Sequence, residues 1–524
     1  MRRNYCFLER QIERWSYQRM LIVAAYILCA CMMPLGAVYS WSQSPETTRQ
    51  ELQSRVDAMQ IQLDTAQRRI AQEHEELVEL QQQFKDLKSQ IQPAMEGARS
   101  APPTEAVEDL QQAVAEIQER QAIHQAEIQV HEQEKIESSS KFPLKLHGMV
   151  LLNSSVNNGS VDNAIQPVIA ISSDATAADG SVTATGRQTL LGLDATGPLL
   201  WGAHTYANLE MDFAGGTSSG GYTSGSSSVR LRTASMQIEW PKTKVQAGIF
   251  PLILTPYYAS SYFSITVPAM SWSGAIWGWL PQLSVEHTLG ISGHQHLDFQ
   301  AAVTDVPDAG PNVSDSLGSV SAAERSRYPA TETRVAWQST FRLPASIGIG
   351  GYWSPHSLAA TSANPACNFN AWAATADWKL SLPASFWFSG SIYDGAALGG
   401  LSAGAFKDSI LVYRAVNAQN LENLTGLKDA GGWSQLKFKP IQRLEFNVAF
   451  GEDSANSAQL RSADLNISNP YIGLVRNQTG FANFVFRPTS TILLSGEYRK
   501  IRSWQIMGSA ADASLFGLAA GYAF

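Results

Sequence analysis

The residues from Ser514 to Phe524 read S-L-F-G-L-A-A-G-Y-A-F, and their strict alternation leaves little choice of secondary structure. In an extended chain successive side chains point to opposite sides, so Phe516, Leu518, Ala520, Tyr522 and Phe524 share one face. Leu515, Gly517, Ala519 and Gly521 share the other. A strand bulky and apolar on one side and small on the other suits the closing strand of a membrane barrel. The last strand of a soluble sandwich is the alternative.

Only 16% of the 524 residues are charged, short of the roughly 25% usual in soluble domains. Beyond the amino terminus there is no run of about 18 apolar residues, so helical membrane spans are not expected. Alternating strands hide their apolar face from hydropathy averages. A formal charge of -8 argues against a nucleic-acid surface. Arg14 and Arg19 precede the apolar stretch Met20 to Met33, then Pro34, Gly36, Ala37 and Ser40, the layout of an export signal over residues 1–40. A retained inner-membrane anchor is the alternative. Three of the four cysteines, Cys6, Cys29 and Cys31, fall in or before this segment. Cys367 then stands alone, which excludes an internal disulfide and a cysteine-based zinc site.

From Glu46 the composition turns to Gln, Glu, Arg and aliphatics. Leu52, Val56, Met59, Leu63, Ala66, Ile70, Leu77, Leu80, Phe84, Leu87 and Ile91 mark a core spacing of alternating four and three residues, interrupted only at Glu73. A sustained 3.5-residue period specifies a left-handed coiled coil over 46–92, a rod of roughly 70 Å at about 1.5 Å per residue. Pro93, Gly97, Pro102 and Pro103 break it across 93–104. A second seam over 105–137 runs through Val107, Leu110, Val114, Ile117, Gln121, His124, Ile128 and His131, its polar layers setting register.

The remainder, 141–524, alternates short turns with long loops. Period-2 segments predict strands near 144–156, 186–197, 202–214, 228–240, 244–250, 281–289, 295–305, 331–342, 345–354, 371–381, 384–394, 431–439, 442–452, 478–487, 490–502 and 514–524. Connections after even-numbered strands are tight, as at Gly197-Pro198, Pro241-Lys242, Pro344, Pro383 and Pro440; those after odd-numbered strands are long and rich in Gly, Ser, Ala and Asn. Apolar Leu209, Met211 and Phe213 alternate with Asn208, Glu210 and Asp212, and Leu444, Phe446, Val448 and Phe450 oppose Glu445 and Asn447. The predicted fold is an all-β transmembrane barrel of about 16 antiparallel strands behind an α-helical coiled coil, apolar toward lipid and polar toward an aqueous channel.

The stretch from Glu119 through Gly148 and the run R-Q-T-L-L-G-L-D-A-T-G-P from Arg187 to Pro198 resemble the DcaP-like outer-membrane porins, and the carboxyl-terminal Phe with Tyr522 resembles the terminal signature of Gram-negative outer-membrane proteins. The resemblance implies a signal peptide, a periplasmic coiled coil and a homotrimer of sixteen-stranded barrels admitting small hydrophilic, often anionic, solutes such as dicarboxylates. In such porins the third long loop folds inward. Here it corresponds to residues 251–280, where Tyr257, Tyr258, Ser260, Ser261 and Tyr262 are constriction candidates; packing on the wall or at a trimer contact is the alternative for each.

Strand parity predicts an inward direction for Arg334, Lys379, Lys437, Arg487 and Arg499, and for Glu210, Asp212, Glu332, Asp377, Glu445 and Glu497. Opposed signs suggest a transverse field that orients charged solutes without trapping them. Arg230 and Arg232 share parity with apolar Ala234, Met236 and Ile238, so they either lie above the lipid or require a bulge that flips the face, which would make Arg232 a channel-lining and constriction candidate. No nucleophile motif, cofactor-binding glycine motif, zinc cluster or calcium loop stands out, so neither catalysis nor a cofactor is expected. The expected function is a passive outer-membrane porin. The rival is a structural protein whose periplasmic coiled coil spaces or tethers the membrane to the cell wall.

Overall fold

A computed structural model describes residues 143–172, 179–215, 228–309, 320–358, 367–416, 419–463, 465 and 469–524. The expected export signal, both coiled-coil segments and the break between them lie outside these residues. Among the described residues no helix is long and apolar enough to cross a membrane.

The barrel strands are β1 (Leu144–Asn158), β2 in two pieces (Ser181–Thr185 and Leu190–Thr196), β3 (His204–Asp212), β4 (Arg230–Glu239), β5 (Thr243–Pro251), β6 (Trp279–Ser292), β7 (Gln295–Thr304) and β8 (Ala330–Ser339). There follow β9 (Ala345–Leu358), β10 (Cys367–Leu382), β11 (Phe386–Ala396), β12 (Lys428–Ile441), β13 (Leu444–Ala455), β14 (Leu474–Phe486), β15 (Ile492–Gln505) and β16 (Ala511–Ala523). Each pairs antiparallel with its sequence neighbours, and β1 closes the ring on β16, from Met149 opposite Ala523 to Asn158 opposite Ser514. Both pieces of β2 pair with β1, so the 17 segments of the sheet form sixteen strands. At the gap in β2, the Leu151 N–H donates to Thr189 Oγ1 at 3.1 Å, which patches the ladder with a side chain.

All sixteen expected strands are present, several of them longer toward the loop end than the alternation indicated. Burial runs opposite to that of a soluble barrel. Leu152, Val156, Ile349, Val448, Phe516, Leu518 and Tyr522 are exposed on the outside, whereas Asn153, Ser155, Asp377, Asn447, Asn477, Asn483 and Ser503 are buried inside. Such an outer wall is stable against hydrocarbon rather than water.

The parity conflict at Arg232 is resolved by a register shift. Glu210 lies opposite Thr233 and Met211 opposite Leu231, so Arg232 is the extra residue of a bulge. Arg230 and Arg232 thereby join the polar inner face while Leu231 and Met236 stay exposed outside.

Candidate channel lining and inward loop

Between β5 and β6 the chain, residues 252–278, does not leave the barrel. Leu252, Leu254, Ala259, Phe263, Ala269, Met270, Ile276 and Trp277 are buried, and the segment binds wall residues of many strands. At its start Glu332 of β8, 1% exposed, accepts the Ile253 N–H at 3.1 Å and the Leu254 N–H at 3.4 Å. Gln435 of β12 accepts the Ser260 N–H at 2.6 Å, and Asn483 of β14 donates to the Ser260 carbonyl at 2.8 Å. Asn153 of β1 donates to the Tyr262 carbonyl at 2.6 Å. Gln188 donates to the Phe263 carbonyl at 2.9 Å and accepts the Ile265 N–H at 2.7 Å. An irregular backbone needs such partners when it leaves water, and the amides of the wall supply them.

The small face of β16 has its use here. The Phe263 ring sits on Gly517, where an added Cβ would lie 2.7 Å from the ring. Ala513 and Leu515 complete the seat, and the Arg499 guanidinium lies 5.4 Å from the ring centroid.

The hydroxyl candidates divide into two groups. Tyr257 donates to Ser346 Oγ at 2.7 Å, and the Tyr262 hydroxyl accepts from Arg487 Nη2 at 2.8 Å, so both reach the wall on the turn side of the loop. Ser261 is buried and donates to Glu497 Oε2 at 2.6 Å. Tyr258 is half-buried, and desolvation together with the nearby Glu332 carboxylate pushes its hydroxyl pKa up. Ser260 uses its backbone groups, as above, and lies 3.5 Å from Gln435 Nε2 through its hydroxyl.

The predicted charges likewise separate into fixed pairs and water-exposed groups. Arg334 binds Asp377 through two bonds of 2.8 and 2.7 Å, with side chains 4% and 0% exposed, and reaches Gln300 at 2.8 Å. The pair spans the intervening β9 at Gly348, where a Cβ would lie 2.6 Å from both partners. Arg499 pairs with Glu497 at 2.6 Å, both buried, and Arg232 with Glu210 at 2.6 Å. Arg230 holds Asp212 at 2.6 Å. By contrast Lys379 is exposed, stands 5.6 Å from the Tyr257 ring centroid and has no ion-pair partner among the described residues. Lys437 and Arg487 share one carboxylate, Glu445, at 3.3 and 3.9 Å. The turn-side part of the wall made by β10, β12 and β14 therefore sets Lys379, Lys437 and Arg487 against the single carboxylate of Glu445, while Glu210 and Asp212 across the barrel are neutralised by arginines.

A second inward segment was not foreseen. Residues 397–408, after β11, turn back into the barrel mouth, with Leu398, Leu401, Ala403 and Ala405 buried. They meet the inner loop directly. Trp272 N–H donates to the Ser402 carbonyl at 2.9 Å, Trp277 N–H to the Leu401 carbonyl at 3.1 Å, and the Trp272 indole stacks on Phe406 at 4.6 Å. Met270, Trp272, Ala397, Ser402, Ala405 and Phe406 all have positive φ, a conformation costing on the order of 1 kcal/mol each that persists only where packing imposes it. Lys407 is fully buried; its ammonium donates to the carbonyls of Ala405, Tyr471 and Leu474. Desolvation pushes its pKa down to about 7, against the pull of Asp453 and Asp429. Asp408 accepts the Ala309 N–H at 2.5 Å and the Gly400 N–H at 3.0 Å, and burial pushes its pKa up to about 6. The one signal in the sequence was an uncharged run, A-A-L-G-G-L-S-A-G-A-F from Ala396 to Phe406, inside an otherwise polar connection.

No family model and no curated protein matches this chain. Among solved structures it is similar to the outer membrane channel DcaP of Acinetobacter baumannii, at 17% identity over 74% of this chain and 99% of that one, with a TM-score of 0.54. OprB of Pseudomonas putida aligns at 11% identity over 73% of this chain and 94% of that one, TM-score 0.45. OmpT of Vibrio cholerae aligns at 9% identity, covering 74% and 98%, TM-score 0.42. The described barrel thus has the porin-type fold of the DcaP outer-membrane channel.

Proposed function

We infer that the chain is an outer-membrane porin, a passive path for small hydrophilic solutes that favours anions such as dicarboxylates, assembled as a homotrimer with its coiled coil in the periplasm. The observation that carries the reading is the set of lumen cations on one wall, Lys379, Lys437 and Arg487, beside Tyr257 and Tyr262 of the inward loop. Three positive groups against one carboxylate leave that wall attractive to an anion. The tyrosine rings beside them are apolar surfaces along which a small carboxylic acid slides without being trapped, as rapid passage requires. Reconstitution in planar bilayers with asymmetric KCl tests this. Chloride should permeate faster than potassium, and the triple variant K379Q/K437Q/R487Q should move the reversal potential toward cation preference. Step currents with potassium favoured in the wild type would refute the anion preference.

A second reading rests on the apolar clusters between the inward segments and the wall. Leu252, Leu254, Ile276, Tyr352, Tyr393, Leu398 and Leu401 pack together inside the barrel, as a barrel with a mainly structural, tethering role would also have it. Absence of any step current, also after removal of residues 46–137, favours that role.

A further inference from the structure

Inside the barrel four arginines reach a carboxylate at close range: Arg334, Arg499, Arg230 and Arg232 lie 2.6 to 2.7 Å from theirs. The outward-facing cations of β14 and β15 are held differently. The side chains of Arg476, Lys500 and Arg502 are 37%, 56% and 49% exposed. Their carboxylates stay at a distance, Glu452 at 4.0 Å from Arg476 and Asp512 at 3.8 Å from both Lys500 and Arg502. Glu452 is already bonded to Gln478. Arg476 and Arg502 instead lie over one indole, Trp504, at 3.7 and 5.1 Å from its centroid. Stacking on a ring fixes a guanidinium plane and leaves its N–H groups free to donate.

Their level on the barrel matters as much as their charge. Register sets Lys500 between Gly480 and Ser514, Arg502 between Gln478 and Asp512, and Trp504 opposite Arg476. The next outward residues toward the turn end are Tyr498 and Phe516, in ring contact at 4.9 Å, then exposed Leu494 and Leu518. The cations therefore begin where the hydrocarbon-facing wall stops. Strands lie about 4.8 Å apart and alternate residues about 7 Å apart, so the three are within reach of one headgroup.

We propose that Arg476, Lys500 and Arg502 bind the phosphorylated headgroup of a lipid in the leaflet at the loop end of the barrel, with its acyl chains along Tyr498, Phe516 and Leu518. Forked guanidinium donors match phosphate oxygens, and the apolar wall below supplies the contact that a free ion lacks. Glu452 and Asp512 reduce the local charge to a net plus one. A multiply charged phosphate displaces those long pairs, whereas an uncharged headgroup does not.

The test uses the full-length protein in dodecyl maltoside micelles, titrated with diphosphoryl lipid A, with its dephosphorylated form and with inorganic phosphate, and read by native mass spectrometry. Diphosphoryl lipid should bind best, and R476Q/K500Q/R502Q should bind it on the order of thirtyfold more weakly while keeping the heat-modifiable migration of a folded barrel. Lys242→Gln, in a short turn at the other end, should bind like the wild type. The proposal is overturned by equal affinity of the triple variant, by equal loss in Lys242→Gln, or by equal binding of the dephosphorylated lipid or of inorganic phosphate to the wild type. The probe comparison needs no variant, so a misfolded triple mutant does not shield the idea.

Discussion

Phe263→Ala should unseat the inner loop without opening the barrel. The ring is 3% exposed, rests on Gly517 and is faced by the Arg499 guanidinium. Truncating a buried Phe costs about 3 to 5 kcal/mol. The sixteen-strand ladder does not depend on that ring, so the loss falls on the local opening of residues 252–278, whose detached population should rise by roughly a hundredfold to a few thousandfold. Gly517→Leu attacks the same contact from the wall side, since even a Cβ meets the ring at 2.7 Å. The two changes together exchange one volume for another, so the double variant should recover most of the seating, a coupling of about 1 to 3 kcal/mol in a mutant cycle. Limited proteolysis of folded protein in detergent reads this as new cleavage within the loop, and bilayer recordings read it as larger, noisier currents. Equal protease resistance in Phe263→Ala and wild type, or additive damage in the double variant, refutes the idea that this contact holds the loop.

Asp377→Asn strands the buried Arg334 charge and should lower stability toward urea by about 3 to 5 kcal/mol, with R334M/D377L recovering most of it. Gly348→Ala pushes a methyl group into the same pair and should cost about 1 to 3 kcal/mol in thermal unfolding. The second inward segment should respond to pH with a minimum of stability. Folded Asp408, at about 6 against an ordinary 3.8, keeps a proton that the unfolded chain has lost, so seating weakens as pH rises toward 6. Folded Lys407, at about 7 against an ordinary 10.5, has lost a proton that the unfolded chain keeps, so seating strengthens as pH rises above 7. Protease cleavage in the hairpin Ser409–Val416 and Gln419–Gly426 should therefore be fastest, per unit protease activity, between about pH 6 and 7; a steady trend from acid to alkali counts against this.

The strands were legible because hydrocarbon outside and polar groups inside impose a period of two on every residue in the membrane. Where a strand rises beyond the lipid that demand lapses, which is why Ser181–Thr185 and the end of β9 near His356 escaped notice. The inner loop was legible through its aromatic density. Segment 397–408 was not, because its buried Leu398 and Leu401 and half-buried Phe406 are spread among Gly, Ala and Ser with neither a period of two nor the aromatic density of the inner loop. Parity gave the direction of Arg334, Glu497 and Lys379 alike, yet it holds no information on partners. Only the fold reveals that the first two are bound to neighbours and the third faces water. Arg232 was ambiguous for a related reason, since a bulge is a property of two strands together and not of one.

The seat of Phe263 on β16 ties the interior to the order of assembly. Ser261 and its acceptor Glu497 are 236 positions apart in the chain, and Gly517 lies further along still. Until the last two strands are in place, Ser261 and Phe263 lack the partners that hold them, Glu497 and the Gly517 face. The middle of the loop is therefore fastened by residues at the far end of the chain, and its full seating waits on the last strands to fold.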